Sequence, residues 1–380
     1  MIGIAFWVSA ALAAYAYLGY PLVLAVVARR RRRYPPLSTV PSVTIIVAAH
    51  DEEAVIGRKV DELLALDQPG LEVIVAADGS SDGTAGIASG RGATVLHRPE
   101  RLGKSAAIAR AIDAADGEII AFSDANNHWA PGALRALITP FGDPRVGAVT
   151  GKKMSGGDDG LGWSEGAYWR YESFIRLRET RLGSTVGVNG EIFAVRRDLV
   201  SPPPAGIVND DAWMAHAVIA AGHDVAFAPE ALSVEPVSAT AADEMERRTR
   251  MVAGFWQMLA RLPGAIPWRR PVVAWQVISH KLMRHLVPLW MVTAGLASLS
   301  ALAVPGDGLW GLGTPWNAWA VATQAAFYLA ALAGPRLGGA GYVPRFVVAS
   351  NAAALGGLWR HLRGTQDAAW SRADRVREAA

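Results

Sequence analysis

The sequence predicts an α/β domain with a Rossmann-like, mostly parallel sheet, flanked by transmembrane and interfacial helices. The middle of the 380-residue chain alternates short apolar, β-branched runs with segments of helical spacing, which is typical of βαβ units. The whole chain is 51% hydrophobic and only 19% charged, against about 25% charged in an average soluble domain. We therefore expect part of the chain to lie in lipid.

The α/β domain is expected at residues 41–262. Its pattern predicts strands at 42–48, 71–76, 94–97 and 118–122 and helices at 53–66 and 104–114. In an open parallel sheet, ligands bind beyond the carboxyl ends of the strands. The residues that follow each strand are therefore the expected functional site.

The first 28 residues predict a membrane anchor. Residues 2–28 contain no charged side chain, and Arg29, Arg30, Arg31, Arg32 and Arg33 follow directly. A cleaved signal peptide would have a basic start and a shorter apolar run. The arginines indicate that the basic linker at 29–40 faces the cytoplasm.

The C-terminal third predicts a second membrane region, because Asp307 is the only acidic residue between positions 271 and 366. We expect an interfacial segment at 263–285, a transmembrane hairpin at 286–334, an interfacial or re-entrant helix at 335–364 and a cytosolic tail at 365–380. A fourth span at 342–359 is the alternative, although its flanking arginines disfavour it. The chain is thus expected to be a multi-pass protein of the cell (inner) membrane, with the α/β domain on the cytoplasmic side.

Composition and motifs exclude several functions. The chain has no cysteine, so disulfides, thiolate metal sites and cysteine nucleophiles are ruled out. The formal charge is only +3, so a nucleic-acid partner is not expected. No G-x-G-x-x-G follows the first strand, and Arg98 stands where a P-loop needs glycine.

Polar loops follow the predicted strands in a recurring order. They are 49–53 (AHDEE), 78–84 (DGSSDGT), 102–104 (LGK), 124–126 (DAN) and 208–211 (VNDD). This series resembles family 2 glycosyltransferases and, with the flanking membrane segments, the cellulose, chitin and hyaluronan synthase group. The resemblance implies a GT-A fold and inverting transfer from a nucleotide sugar, expected to be a UDP-sugar. The acceptor would be a growing polysaccharide or a lipid-linked molecule at the cytoplasmic membrane face, with polymer-export partners possible.

The resemblance also assigns residues to the donor. The implied donor-binding residues are Asp51, Glu52, Asp78, Lys104, Asp124 and Arg247. Asp124 and Asn126 match the D-x-D motif, which implies a divalent cation, Mg²⁺ or Mn²⁺, that neutralises the diphosphate. Asn126 replaces the second Asp and leaves the cation site with one fewer negative charge.

On the acceptor side, the resemblance implies Asp211 as the base, with Asp210 and Arg250 beside it in the catalytic set. A helix N-cap is the structural alternative for Asp211, and a membrane-surface patch is the alternative for the basic run that contains Arg250. The implied acceptor-side residues are Val188, Asn189, Gly190 and Met251. Met251 replaces a Trp that stacks on the sugar in processive synthases, which weakens the expectation of a long polymer.

A second class of function remains open. A non-catalytic subunit that binds a nucleotide sugar, or assists a polysaccharide synthesis complex, would also account for the departures at Asp51, Asn126 and Met251. Turnover of a nucleotide sugar by the purified protein distinguishes the two classes.

Overall fold

The computed structural model describes residues 1–156, 160–236 and 241–366, and the predicted tail lies outside this part from residue 367 onward. The strands are β1 (Val43–Ala49), β2 (Leu71–Asp78), β3 (Thr94–Arg98), β4 (Ile119–Asp124), β5 (His128–Trp129), β6 (Val146–Gly156), β7 (Phe193–Arg196) and β8 (Asp224–Pro236). They form one sheet in the order β3-β2-β1-β4-β7-β6-β8-β5. The first four strands lie within two residues of their predicted bounds.

The sheet has a parallel half and a mixed half. β3, β2, β1 and β4 are all parallel, as predicted. β7 runs antiparallel to both β4 and β6, while β8 is parallel to β6 and antiparallel to β5. The sequence predicted a mostly parallel sheet, and the antiparallel pairings of this half lie outside the four predicted strands. β7 begins opposite Phe122, near the carboxyl end of β4, so it enters the sheet at that edge and runs back.

Helices cover both faces of the sheet. The α-helices of the described residues are α1 (Ile2–Ala14), α2 (Tyr20–Val27), α3 (Glu53–Leu64), α4 (Thr84–Gly90), α5 (Lys104–Ala114), α6 (Ala133–Ile138), α7 (Gly160–Leu182), α8 (Asp210–Ala220), α9 (Ala241–Arg261), α10 (Pro271–Gln276), α11 (Met283–Ala303), α12 (Trp316–Ala333) and α13 (Gly339–Arg363). Alternate residues of β1 point to opposite faces. Ile45 and Val47 pack with α3, α4 and α6, and Ile46 and Ala48 pack with α5, α8 and α9.

Two helices in the described part of the chain are long and apolar enough to cross a membrane, Ile2–Val27 and Pro271–Ala303. Each contains a π-helical turn, at Tyr15–Gly19 and at Val277–Leu282. α1 packs along α11, where Phe6 meets small residues of α11.

The helix that starts at Pro271 runs on to Ala303, so much of the predicted interfacial segment and the first arm of the predicted hairpin form one element. α12 forms the second arm. The predicted segment at 335–364 is largely α13, which packs against α9.

The basic linker is fixed to the α/β domain through Arg32. Its side chain is only 10% exposed and lies 3.0 Å from Asp143 and 2.8 Å from Asp224. Arg270, just before α10, also pairs with Asp224. Arg32 is therefore a largely enclosed structural residue, whereas its neighbours Arg31 and Arg33 are exposed.

Candidate active site

Three acidic loops predicted from the sequence meet at one edge of the sheet. The neighbouring parallel strands β1, β2 and β4 end at Ala49, Asp78 and Asp124. The register pairs Ala49 with Ala77 and Ala48 with Asp124, so the three strand ends are level. This is the edge at which open α/β sheets bind ligands.

The first two loops hold each other through Asp51 and Glu52. Ser81 N donates to Asp51 Oδ1 at 2.8 Å, and Glu52 N donates to Thr84 Oγ1 at 2.8 Å. Asp51 has a φ of 52°, a left-handed conformation that Asp and Asn adopt more readily than other side chains with a Cβ. The Asp in place of the family's Asn therefore suits this backbone, and it fixes the shape of the loop pair.

Asp78 lies buried beneath the loops. Gly103 N donates to Asp78 Oδ2 at 2.6 Å, and Arg110 Nη1 lies 3.5 Å from Asp78 Oδ1. Within the described residues, Oδ1 and both terminal nitrogens of Arg110 make no hydrogen bond. Such unused donors and acceptors can bind the polar edge of a nucleotide base. Sequence reasoning missed Arg110, although a charge within the otherwise apolar stretch 106–112 of α5 is a signal for it.

Lys104, the first residue of α5, connects two of the predicted carboxylates. Its Nζ donates to Asp124 Oδ1 at 2.9 Å and lies 3.9 Å from Asp210 Oδ2. Burial acts to lower the pKa of Lys104, but the charges of Asp124 and Asp210 outweigh it and raise the pKa above its ordinary value. Lys104 is therefore a permanent cation at the sheet edge.

Asp211 lies next to this cation at the start of α8. Burial and, after it, the charge of Asp210 raise the pKa of Asp211 to about 6. The helix N-cap position belongs to Asn209, although Ala212 N donates to Asp211 Oδ1 at 2.7 Å. A carboxylate with this pKa is ionised at neutral pH and is a stronger base than an ordinary Asp.

The predicted acceptor-side loop, residues 184–191, lies directly against Asp211. A methyl group placed on Gly190 would be 3.0 Å from Asp211 Oδ2, which explains the glycine. Asn189 is buried and fully engaged, since its Oδ1 accepts from Arg176 at 2.7 Å and its Nδ2 donates to Gly151 O at 2.8 Å. Val188 packs against the core on the α5 face of the sheet.

A further group of carboxylates surrounds Asp124. Oxygen atoms of Asp124, Glu191 and Glu235 lie within 4.8 Å of one another. Lys153 pairs with Glu191 at 3.1 Å and also with Glu235. Sequence reasoning did not select Glu191 or Glu235, because they come from separate elements, just before β7 and near the end of β8.

The side chains around Asp124 suit a divalent cation. Asn126 Oδ1 is buried and makes no hydrogen bond within the described residues. Together with Asp124, Glu191 and Glu235 it offers oxygen donors alone, which Mg²⁺ and Mn²⁺ prefer. These four residues could hold such an ion.

Glu179 of α7 joins both long apolar helices to the acceptor-side loop. Its carboxylate accepts hydrogen bonds from Tyr20 Oη at 2.6 Å, Thr185 Oγ1 at 2.9 Å and Val186 N at 3.3 Å, and His280 Nδ1 lies 2.8 Å away. We call these five residues the Glu179 cluster. Its contacts span up to 159 positions in sequence, so no local pattern reveals it.

The predicted basic run lies on α9, beside the start of α8. Arg247 donates twice to Glu244 of its own helix, at 2.9 Å each. Arg250 is half-buried, while Met251 is 45% exposed. The carbonyl of Met251 accepts from Asn209 Nδ2 at 2.7 Å, which ties α9 to the helix that carries Asp211.

Comparison with known families gives the domain its class. The model described as "Glycosyl transferase family 2" matches residues 44–201. These residues form a family 2 glycosyltransferase domain. The matched glycosyltransferase domain contains Asp78, Asp124 and Glu191, while Asp210 and Asp211 follow it.

Two curated relatives are similar to the chain. An uncharacterised protein of Mycobacterium tuberculosis is 25% identical over 291 residues, which cover 70% of this chain and 86% of the relative. The β-monoglucosyldiacylglycerol synthase of Trichormus variabilis is 32% identical over 187 residues, or 46% of this chain. The match spans only 40% of that synthase.

The fold of the glycosyltransferase domain has a solved counterpart. The mannosyltransferase PcManGT of Pyrobaculum calidifontis, in complex with GDP-mannose and Mn²⁺, superposes with a TM-score of 0.72 at 22% identity. The likeness covers 95% of this chain and 99% of the mannosyltransferase. This likeness supports the predicted GT-A fold.

Proposed function

We propose that the protein is a membrane-bound, inverting glycosyltransferase that transfers a hexosyl group from a nucleotide sugar to a lipid-linked acceptor. The observation that carries this proposal is the position of Asp211. Its carboxylate, with a pKa raised to about 6, lies near Lys104 and against the acceptor-side loop. The site thus offers a base and a cation at one sheet edge.

The proposed reaction needs both groups. The oxygen of an acceptor hydroxyl forms a bond to the anomeric carbon while the bond from that carbon to the diphosphate breaks. Asp211 takes the hydroxyl proton. The nucleoside diphosphate leaves with the bonding electron pair, and the Lys104 ammonium stabilises its negative charge.

A divalent cation is the proposed cofactor. Asp124, Asn126, Glu191 and Glu235 would hold it, and when bound it would neutralise the charge of the diphosphate. The similar mannosyltransferase was solved with Mn²⁺. In this chain, Lys104 and Lys153 already offset part of the local negative charge.

The nucleotide base of the donor would lie between Asp78 and the two loops that contain Asp51 and Ser81. Asp78 and Arg110 supply unused hydrogen-bonding atoms there. The family resemblance of the motifs favours a UDP-sugar, while the similar mannosyltransferase was solved in complex with GDP-mannose. Both nucleotides therefore belong in a test of donor choice.

A lipid-linked acceptor is favoured over a long polymer. Met251 is exposed where processive synthases carry a stacking Trp, and one similar protein is a glycolipid synthase. The helices Ile2–Val27 and Pro271–Ala303 would hold the domain at the membrane, with the domain in the cytoplasm. A reporter fused after Ala380 should then read cytoplasmic, whereas an exterior signal would favour the fourth span.

The purified chain in detergent, mixed with labelled UDP- and GDP-sugars, a lipid extract and Mg²⁺ or Mn²⁺, tests the proposal. We expect one donor to be consumed and its label to appear in a small, solvent-extractable product. A long polymer would support the polysaccharide synthase alternative. No turnover with any donor would favour the non-catalytic subunit.

A further inference from the structure

A group of cations lies between α7 and the helix Pro271–Ala303, outside the site described above. Arg176 and Lys281 converge on Gly187, where an added methyl group would be 3.1 Å from both Arg176 Nε and Lys281 Nζ. Arg284, about one helical turn after Lys281, pairs with Glu172. We call Arg176, Lys281 and Arg284 the cation group.

The charges of the cation group are only partly neutralised. The group has three positive charges, and the carboxylates that face it are Glu172 and Glu179, which bracket His280. With His280 counted as neutral, one positive charge remains in excess. An uncompensated charge in a low-dielectric setting is costly, so the group is complementary to an anion.

Several of its hydrogen-bond donors are unused. Within the described residues, Arg176 Nε and Arg284 Nε and Nη2 are buried and make no hydrogen bond, although Arg176 Nε lies 3.8 Å from Glu172. Lys281 Nζ has no hydrogen bond or ion pair in this same part of the chain. Each of the three side chains thus keeps at least one donor without a hydrogen-bond partner in the described part of the chain.

The cation group is close to the proposed reaction site. Gly187 precedes Gly190 by three residues, a stretch of chain that spans at most about 11 Å. Gly190 in turn lies against Asp211. An anion at Gly187 would therefore lie within a few sugar lengths of the base.

Aromatic rings line the same region. Arg284 Cζ lies 5.0 Å from the ring centroid of Tyr171, and Arg176 Cζ lies 5.6 Å from that of Trp169. Lys281 and Arg284 belong to a helix that is apolar along most of its length, where ionisable residues mark functional positions. Charge, aromatic surface and an apolar helix together match an amphipathic ligand.

We propose that the cation group binds the phosphate of the lipid acceptor. This proposal rests on the proposed function, because it specifies the chemistry of the acceptor. The phosphate oxygens accept hydrogen bonds from Arg176 Nε, Lys281 Nζ and Arg284 Nη2. The lipid chain lies along the helix Pro271–Ala303, and the sugar-accepting hydroxyl points toward Asp211.

Equilibrium binding to the purified full chain in detergent tests this site without turnover. The probes are dodecyl phosphate, dodecanol and inorganic phosphate. We expect dodecyl phosphate to bind about tenfold more tightly than either of the others, because it combines charge-assisted hydrogen bonds with apolar contact. Equal binding of dodecyl phosphate and dodecanol would overturn the proposal. Equally tight binding of inorganic phosphate would overturn its lipid part.

Lys281→Met is the main variant, because it removes the charge, keeps an apolar stem and leaves no carboxylate unpaired. We expect this variant to bind dodecyl phosphate about tenfold more weakly than the wild type does and to bind dodecanol equally well. Arg269→Met is the matched control, since it removes an exposed cation just before the same helix. Equal losses in both variants would indicate a general charge effect and contradict the proposal.

Arg284→Lys covers the case in which Lys281→Met fails to fold. It keeps a cation opposite Glu172 and removes the guanidinium donors, so it should also bind dodecyl phosphate more weakly. Unchanged binding of dodecyl phosphate would count against the site.

Nucleotide binding and donor turnover should persist in these variants with a soluble or uncharged acceptor. Absence of sugar transfer by the wild type would contradict the proposed function and leave the phosphate-binding result intact.

Discussion

The parallel half of the sheet and the mixed half with the long apolar helices carry different parts of the proposed reaction. In the parallel half, functional side chains follow strand ends and contact one another through short loops, as Asp51 does with Ser81. In the other half, contacts join distant segments, as Tyr20 and His280 do at Glu179. The comparison indicates that the residues proposed to bind the donor can be recognised from local sequence motifs. The residues proposed to bind the acceptor are brought together only by contacts between distant segments.

The largest expected effect is at Asp211, where the two halves meet. Asp211→Asn should lower transfer by about 10²–10⁴-fold, because the amide cannot accept the acceptor's proton. Donor binding, measured by nucleotide titration, should change little. Asp113→Asn on the exposed face of α5 is the control and should retain normal turnover. Near-normal turnover of the Asp211→Asn variant would exclude Asp211 as the base.

Asp124 tests the parallel half alone. Asp124→Ala should reduce both donor binding and turnover about a hundredfold, since it removes a cation ligand and the partner of Lys104. A chelator should reduce wild-type turnover to a similar degree, and added Mn²⁺ or Mg²⁺ should restore it. Full wild-type activity with a chelator present would refute the cation.

Glu179 tests the other half alone. Glu179→Gln should raise the KM for the acceptor about tenfold and leave the KM for the donor unchanged, because it weakens several hydrogen bonds that hold the acceptor-side loop. Tyr20→Phe removes one of these bonds and should have a smaller effect of the same kind. If the KM for the donor rises as much as the KM for the acceptor, the two halves of the sheet do not have the separate roles proposed here.

The pH dependence of activity tests Asp211 as the proposed base. Activity should rise with pH through a midpoint near 6, because Asp211 accepts a proton only when it is ionised and its pKa is raised to about 6. Asp210→Asn removes a neighbouring negative charge, so the midpoint should move to lower pH. A pH–rate profile of kcat/KM measures both, and an unmoved midpoint would argue that another group titrates.

The smallest expected effect is at Asn126. Asn126→Asp adds a carboxylate to the cation site, so half-maximal activity should need several-fold less Mg²⁺ or Mn²⁺ while maximal turnover is retained. A metal titration of wild type and variant measures this. Identical titrations would show that Asn126 does not face the ion.

The sequence predicted the parallel half well because its signals are local. The apolar runs of β1, β2 and β4 and the start of α5 at Lys104 follow directly from hydrophobic spacing. Asp124 and Asp211 stand out because each lies beside a strand end or a helix start. The antiparallel entry of β7 could not be inferred, since its four residues carry no sign of direction.

The rest of the candidate site was missed for physical reasons. Glu191, Glu235 and Lys153 form one charged group only after three separate elements have packed together. Arg110 gains its role from the end of a neighbouring strand rather than from its own helix. The predicted interfacial segment contains His280, Lys281 and Arg284, and the same charges that suggested a surface helix are turned inward by Glu172 and Glu179.

The two ion pairs of Asp224 would restrict the orientation of the glycosyltransferase domain on a bilayer. Arg32 follows the first long apolar helix and Arg270 precedes the second, and both pair with this one carboxylate. With both helices in the membrane, as proposed, the domain is clamped at two points close together and has little freedom to tilt. The distance from the lipid surface to Asp211 is then constant, so an acceptor whose hydroxyl extends too far or too little from the lipid would be rejected by its length.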